Sequence, residues 1–111
     1  MKISFEGIGE NCITLRRSGE MKVGDLCSIN GNGEACKASA AFCGVVRGVE
    51  TDTVCVQISG YAEAVCDDVT KVAYGYGALS IGTSGVAAAE SGKQVLVVYK
   101  NAATKVVGFF L

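Results

Sequence analysis

Apolar residues along this chain alternate with polar ones, or run together for five to eight positions, and then meet Gly, Asn, Asp or Ser. That is the pattern of short strands joined by turns. It predicts strands over residues 2–6, 12–16, 26–29, 34–38, 42–49, 53–59, 62–66, 70–74, 78–81, 86–89, 94–100 and 105–111. No stretch holds a 3.6-residue period. Residues 87–90 have the composition for a helical turn, but their counterparts at 35–38 argue for a strand. A sheet made of so many short strands must curl into a barrel or fold as a sandwich.

The pattern also repeats. Residues 26–59 and 78–111 align without a gap at an offset of 52. Ser28-Ile29 falls on Ser80-Ile81, Gly33 on Gly85, Ala35 on Ala87, Val45-Val46 on Val97-Val98 and Val54 on Val106. The loops Asn30-Gly31-Asn32-Gly33 and Gly82-Thr83-Ser84-Gly85 fall together as hairpin turns. The second hairpins turn at 50–52 and at 101–104. A self-match of this length predicts a single domain over residues 1–111, an all-β barrel or sandwich of two similar four-stranded units. Scaffolds of that kind bind or assemble.

Alternation then raises a question of faces. Along 42–49, Cys43, Val45, Arg47 and Val49 share one side, and Phe42, Gly44, Val46 and Gly48 the other. In the last strand Val107, Phe109 and Leu111 oppose Val106 and Phe110. Both faces are apolar, and one small barrel interior accounts for only one of them. The other face is expected to meet a second subunit or a larger surface, which makes Val107, Phe109, Leu111, Val106 and Phe110 the candidate assembly surface.

Composition narrows the function. Half of the 111 residues are hydrophobic, yet no apolar run approaches the ~18 residues that mark a membrane-spanning helix. Residues 1–15 carry Lys2, Glu6 and Glu10 without the apolar core of a signal peptide, so a soluble, cytosolic protein is expected. Net charge is −1 with scattered basic residues, Arg16-Arg17 being the one basic pair. This lacks the basic stripe of a nucleic-acid binder. No histidine is present, which removes the usual general base and the commonest metal ligand.

The six cysteines form no CxxC pair. In the gapless repeat, Cys27, Cys36, Cys43 and Cys55 fall on Leu79, Ala88, Val95 and Val107. They read as small buried hydrophobes, with Cys27, Cys43 and Cys55 buried, unpaired and metal-free. Cys12 and Cys66 lie outside the repeat. Cys66, beside Asp67 and Asp68, is the one expected to be exposed, with a pKa raised by its acidic neighbours.

Other motifs read as structure. Gly19-Glu20-Met21-Lys22-Val23 is similar to a biotin-attachment site, but Gly24-Asp25-Leu26 follows Lys22 where the attachment lysine should lie between strands. Asp67-Asp68 reads as a solvated turn. Gly75-Tyr76-Gly77 is followed by no Lys-Ser/Thr, so it is no phosphate loop. If that segment is extended, Tyr74 and Tyr76 point to opposite faces, one into the core and one out. No catalytic residue, metal site or cofactor emerges.

The order of Val23-Gly24-Asp25-Leu26, Phe42-Cys43-Gly44-Val45-Val46, Val54-Cys55-Val56-Gln57-Ile58-Ser59-Gly60-Tyr61 and the closing 95–111 resembles the small capsid-decoration proteins of tailed phages and prophages. The resemblance runs from about Lys22 onward; residues 1–21 have no match. It implies a β-barrel subunit, often trimeric, that sits outside a capsid shell and steadies it, without catalysis. The implied partners are further copies of the chain and a major capsid protein, in the bacterial cytoplasm during assembly and then in the virion. Alternatives are a head–tail joining or tail protein, or a small carrier or ligand-binding barrel.

Overall fold

Ten of the twelve runs form strands. The computed structural model describes residues 5, 7–39 and 41–111, so the strand expected at 2–6 lies, Phe5 apart, outside the described residues. One antiparallel sheet, sheet A, contains β1 (Asn11–Arg16), β2 (Leu26–Ile29), β3 (Ala35–Lys37), β4 (Gly44–Val49) and β5 (Thr53–Ser59), in the order β1-β5-β4-β2-β3. Sheet B contains β6 (Tyr61–Val65), β7 (Gly75–Ile81), β8 (Val86–Ala89), β9 (Lys93–Asn101) and β10 (Val106–Phe110), in the order β6-β10-β9-β7-β8. Each sheet curls until its edges touch at one parallel bridge, Arg17 to Ala35 in A and Cys66 to Val86 in B. Neither closes into a barrel; the two stack as a sandwich.

The remaining run, 70–74, is not a strand. The Asp68 carboxylate accepts from the Thr70 amide at 3.0 Å and from its hydroxyl at 2.6 Å. This cap pulls Val69–Lys71 into a single 3-10 turn.

The repeat is real, and it extends further than 26–59 and 78–111. β1 and β6 occupy the same place in each sheet, so each unit has five strands rather than four. The gapless offset, however, fails in register. Five residues, 30–34, join Ile29 to Ala35, whereas four, 82–85, join Ile81 to Val86. The second hairpin differs too: Glu50 N–H bonds Thr53 O across a two-residue turn, while 102–105 separate Asn101 from Val106.

Pairing gives the true equivalents. Val46 opposite Val56 matches Val97 opposite Phe109, Gly48 opposite Cys55 matches Tyr99 opposite Gly108, and the β-bulge between the two rows then coincides. Arg17 N–H to Asp52 O matches Cys66 N–H to Lys105 O. Ala35 therefore stands for Val86, and Val54 for Val107. A one-residue slip exchanges the two faces of a strand, so it changes which residues the repeat equates.

Two buried clusters follow. Sheet A curls around Met21, Cys27, Ala35, Val46, Val54 and Val56. Sheet B curls around Ala62, Cys66, Leu79, Val86, Val95, Val97, Val107 and Phe109, joined by Val69 and Val72. Phe42 and Val45 of the first unit enter this second cluster, and the Phe42 and Phe109 rings lie 6.3 Å apart. Both faces of β4 are thus covered at Val45 and Val46, one by the neighbouring sheet and one by its own, while Arg47 and Val49 stay exposed. The apolar second face of that strand needs no other subunit.

Phe109 is fully buried at the centre of the second cluster. Phe109→Ala is expected to cost about 3–5 kcal/mol in urea unfolding. Phe110→Ala, one residue on and half-exposed, is expected to cost less than half as much. Equal losses would mean that the last strand is not seated in this register.

Candidate functional site

The outer face of sheet B carries one continuous apolar row. Tyr61 pairs with Phe110, Phe110 with Leu96, and Leu96 with Tyr76, so one residue from each of four adjacent strands shares a face. Tyr61 is seated because its partner strand offers Gly108: a Cβ there would collide with the Tyr61 hydroxyl. That hydroxyl donates to Glu63 Oε2 at 2.7 Å. Tyr61 and Phe110 meet edge-to-face at 5.5 Å, and Phe5 lies over both, with centroids 5.6 and 6.1 Å away. From this covered end the row opens out through half-buried Leu96 to Tyr76, which is 84% exposed. Tyr99 and Val65 extend the exposed apolar surface on the same face.

The five residues expected at an assembly surface divide cleanly. Val107 and Phe109 are buried in the core of sheet B, and Leu111 packs against it. Val106 and Phe110 stand half-exposed on the outer face. Leu96, Tyr76 and Tyr99 were missed, because strand alternation does not show which residues stand side by side across strands.

Sheet A has the same row. Cys12 pairs with Gln57, Gln57 with Val45, and Val45 with Leu26. By strand pairing these stand where Tyr61, Phe110, Leu96 and Tyr76 stand in sheet B. In sheet A the middle of the row is covered: Val45 and Gln57 are buried, and Leu26 packs on the core of sheet B. Among the described residues, no second sheet covers the row in B.

Charged and polar candidates are engaged in holding loops. Asp67 accepts the amides of Thr83 at 2.6 Å and Ser84 at 2.8 Å, fastening the β7–β8 turn. These bonds hold its pKa, and those from Thr70 hold that of Asp68, below the usual carboxylate range. A hollow of about 570 Å³ is open and lined by Arg16, Arg17, Gly19, Glu20, Thr51 and Asp52. Its Arg17 guanidinium is spent on Thr51 O, at 2.8 and 3.0 Å, and on Gly19 O at 3.0 Å. Met21 plugs the sheet A core, which leaves Lys22 exposed in the loop before β2.

Tyr74 and Tyr76 are both exposed, contrary to the core-and-surface expectation. Gly75 between them has φ +96°, which breaks the alternation of an extended segment. Lys100 Nζ sits 5.0 Å from the Tyr74 ring centre and donates to Val72 O at 2.5 Å.

All six thiols are free. Cys27 is buried as expected, but Cys43 and Cys55 are only half-buried. Cys66 is not exposed: it is 1% accessible, at the bridge to Val86. Its pKa is raised chiefly by burial, with Asp67 and Asp68 adding less. The corrected register removes the apolar counterparts of two cysteines. Cys55 matches Gly108 rather than Val107, and Cys43 matches Gln94 rather than Val95.

Among the described residues no group of three or more His, Cys, Asp or Glu side chains is placed to hold a metal ion, and no helix is long and apolar enough to cross a membrane. Compared with protein families, with curated proteins and with solved structures, the chain finds no match.

A lowered carboxylate pKa stabilises the fold above the unfolded pKa of about 4, and the contribution fades as pH falls towards the folded value. Urea midpoints are therefore expected to fall from pH 6 to about pH 3, with a smaller fall in Asp67→Asn. An unchanged slope would show that the turn does not depend on this carboxylate's charge.

Proposed function

We propose that this protein is a non-enzymatic assembly subunit, a small virion protein that decorates and steadies a phage or prophage capsid. It works by burying the outer row of sheet B against further copies of the chain or the shell. The observation that carries this reading is the unequal treatment of two equivalent rows. Leu26, Val45 and Gln57 are closed off by the second sheet of the same chain. Phe110, Leu96 and Tyr76 stand at the same positions with larger side chains and, among the described residues, no second sheet over them. Covering them contributes on the order of 1.5–3 kcal/mol for each large side chain fully buried. A partner area of roughly 800 Å² makes a specific contact, and repetition over a shell multiplies its strength.

The resemblance in strand order to capsid-decoration proteins supports the choice of a virion over other assemblies. A trimer follows from that resemblance alone. The reading assigns no catalytic residue and no cofactor, and its partners are the chain itself and a major capsid protein.

Light scattering of the parent, Tyr76→Ser and Phe110→Ser, each with and without matching capsid shells, tests the proposal. The parent is expected to self-associate or to bind shells, and both variants to weaken that association at least about tenfold, the loss of about 1.4 kcal/mol. A parent that stays monomeric and ignores the shells, or variants that assemble as the parent does, would remove it.

A further inference from the structure

Five of the six cysteines, Cys12, Cys27, Cys36, Cys43 and Cys55, belong to the first unit, and they meet in pairs. The Cys27 thiol on β2 donates to Ser28 O at 3.3 Å, and it lies beside the Cys43 side chain, which sits just before β4 and packs against the same buried cluster. Cys43 N–H also donates to Cys27 O at 2.7 Å. Cys27 stands opposite Gly44, one residue from Cys43, and the main-chain bond between Cys43 and Cys27 holds their Cα atoms within the roughly 4.4–6.8 Å that a disulfide spans. Cys43 precedes the strand, so its side chain escapes the alternation of β4 and packs against the cluster containing Cys27. Cys12 and Cys55 are also neighbours, but diagonally: Cys12 pairs with Gln57, and Thr14 with Cys55. Diagonal positions are wider apart, about 7–8 Å, so that pair would have to shift to join.

We propose that Cys27 and Cys43 are a redox-modification site, which a small disulfide oxidant converts into a cross-strand disulfide latching β2 to the start of β4. Cys43 is the attacking sulfur. The neighbouring Cys27 thiol, with help from the Lys93 ammonium, lowers its pKa to about 6, while the Cys43 sulfur and burial raise that of Cys27. Cys43 is half-buried and Cys27 buried, so the oxidant meets Cys43 first.

With oxidised glutathione, the Cys43 thiolate attacks one sulfur of the small disulfide, forming the protein–glutathione bond and releasing one glutathione thiolate. Cys27 then attacks the Cys43 sulfur, the mixed disulfide breaks, and a second glutathione thiolate leaves. Both protein thiol protons end on glutathione. Two protein thiols are oxidised and one glutathione disulfide is reduced.

The Gln94 counterpart of Cys43 bears on this. A cysteine that merely filled an apolar slot would have an apolar equivalent. Cys43 does not.

The test uses the full chain. Cleavage after Lys22, Lys37 and Arg47 puts Cys27 and Cys36 on one peptide and Cys43 on the next. Oxidised glutathione at pH 7 is expected to join those peptides in the parent and in Cys36→Ala. In Cys27→Ala the expected product is instead a glutathione adduct on Cys43. In the unoxidised parent, iodoacetamide is expected to label Cys43 at least about tenfold faster than exposed Cys12 at pH 7, with a rate profile whose midpoint is near pH 6. That last measurement needs no variant to fold. No cross-link in the parent, a cross-link that survives Cys27→Ala, or Cys43 labelling no faster than Cys12 would overturn the proposal.

Discussion

Gln57 holds the two sheets in their relation to each other. It is fully buried, the one buried polar side chain among the described residues, in the middle of the sheet A row that faces sheet B. Its Nε2 donates to Tyr61 O at 2.7 Å and to Ser59 O at 3.0 Å. Those carbonyls flank Gly60, where the last strand of the first sheet turns into the first strand of the second. Buried carbonyls of a connection cannot be left without donors at small cost. An apolar residue would fill the volume and orphan them. The amide also carries a cost, since its Oε1 finds no partner among the described residues. Packing at this position is therefore directional, and that fixes how one sheet sits on the other.

The same position explains why the two units, alike in strand order, behave differently. Gln57 in sheet A stands where Phe110 stands in sheet B. One is turned inward by its hydrogen bonds and covered; the other packs with Tyr61 and Phe5 and is left half-exposed at the surface. A duplicated sheet whose first copy is closed by the second leaves the second copy with an open face of the same kind. Enlarging that face with Tyr76 and Phe110, rather than making it polar, leaves apolar area that a protein stable alone would not need.

Strand existence was legible in the sequence because the signals are local: apolar alternation ended by Gly, Asn and Asp. The repeat was legible because those signals recur in the same order. What failed was register. An aligned pair of Gly-containing loops looks equal in sequence, but Asn30 to Glu34 closes one residue wider than Gly82 to Gly85, and Asn101 to Lys105 wider than its partner turn. With a side-chain period of two, those differences exchange the faces of β4 and β5 relative to the copy. They hid the outer row and gave Cys43 and Cys55 the wrong counterparts. Two further misses have the same local origin. Asp68 capped a turn where alternation suggested a strand, and Gly75 at positive φ turned both Tyr74 and Tyr76 outward. Cys66 was judged by its acidic neighbours, whereas its burial comes from Val86, twenty residues away in sequence and adjacent only in the fold.

The concentration of thiols in one unit fits this asymmetry. Sheet B has a core built on Leu79, Val86, Val97, Val107 and Phe109, with the larger side chains. Sheet A packs around Cys27, Ala35, Val46, Val54 and Val56, a smaller set that buries less apolar area. The first sheet is thus the weaker by hydrophobic burial alone, and a covalent link between its strands adds most where burial supplies least. A bond from β2 to the start of β4 would close the segment that includes β3, the shortest strand and the edge that meets β1 at a single bridge. Sheet A therefore gains from a cross-strand bond at the place where its own packing is thinnest.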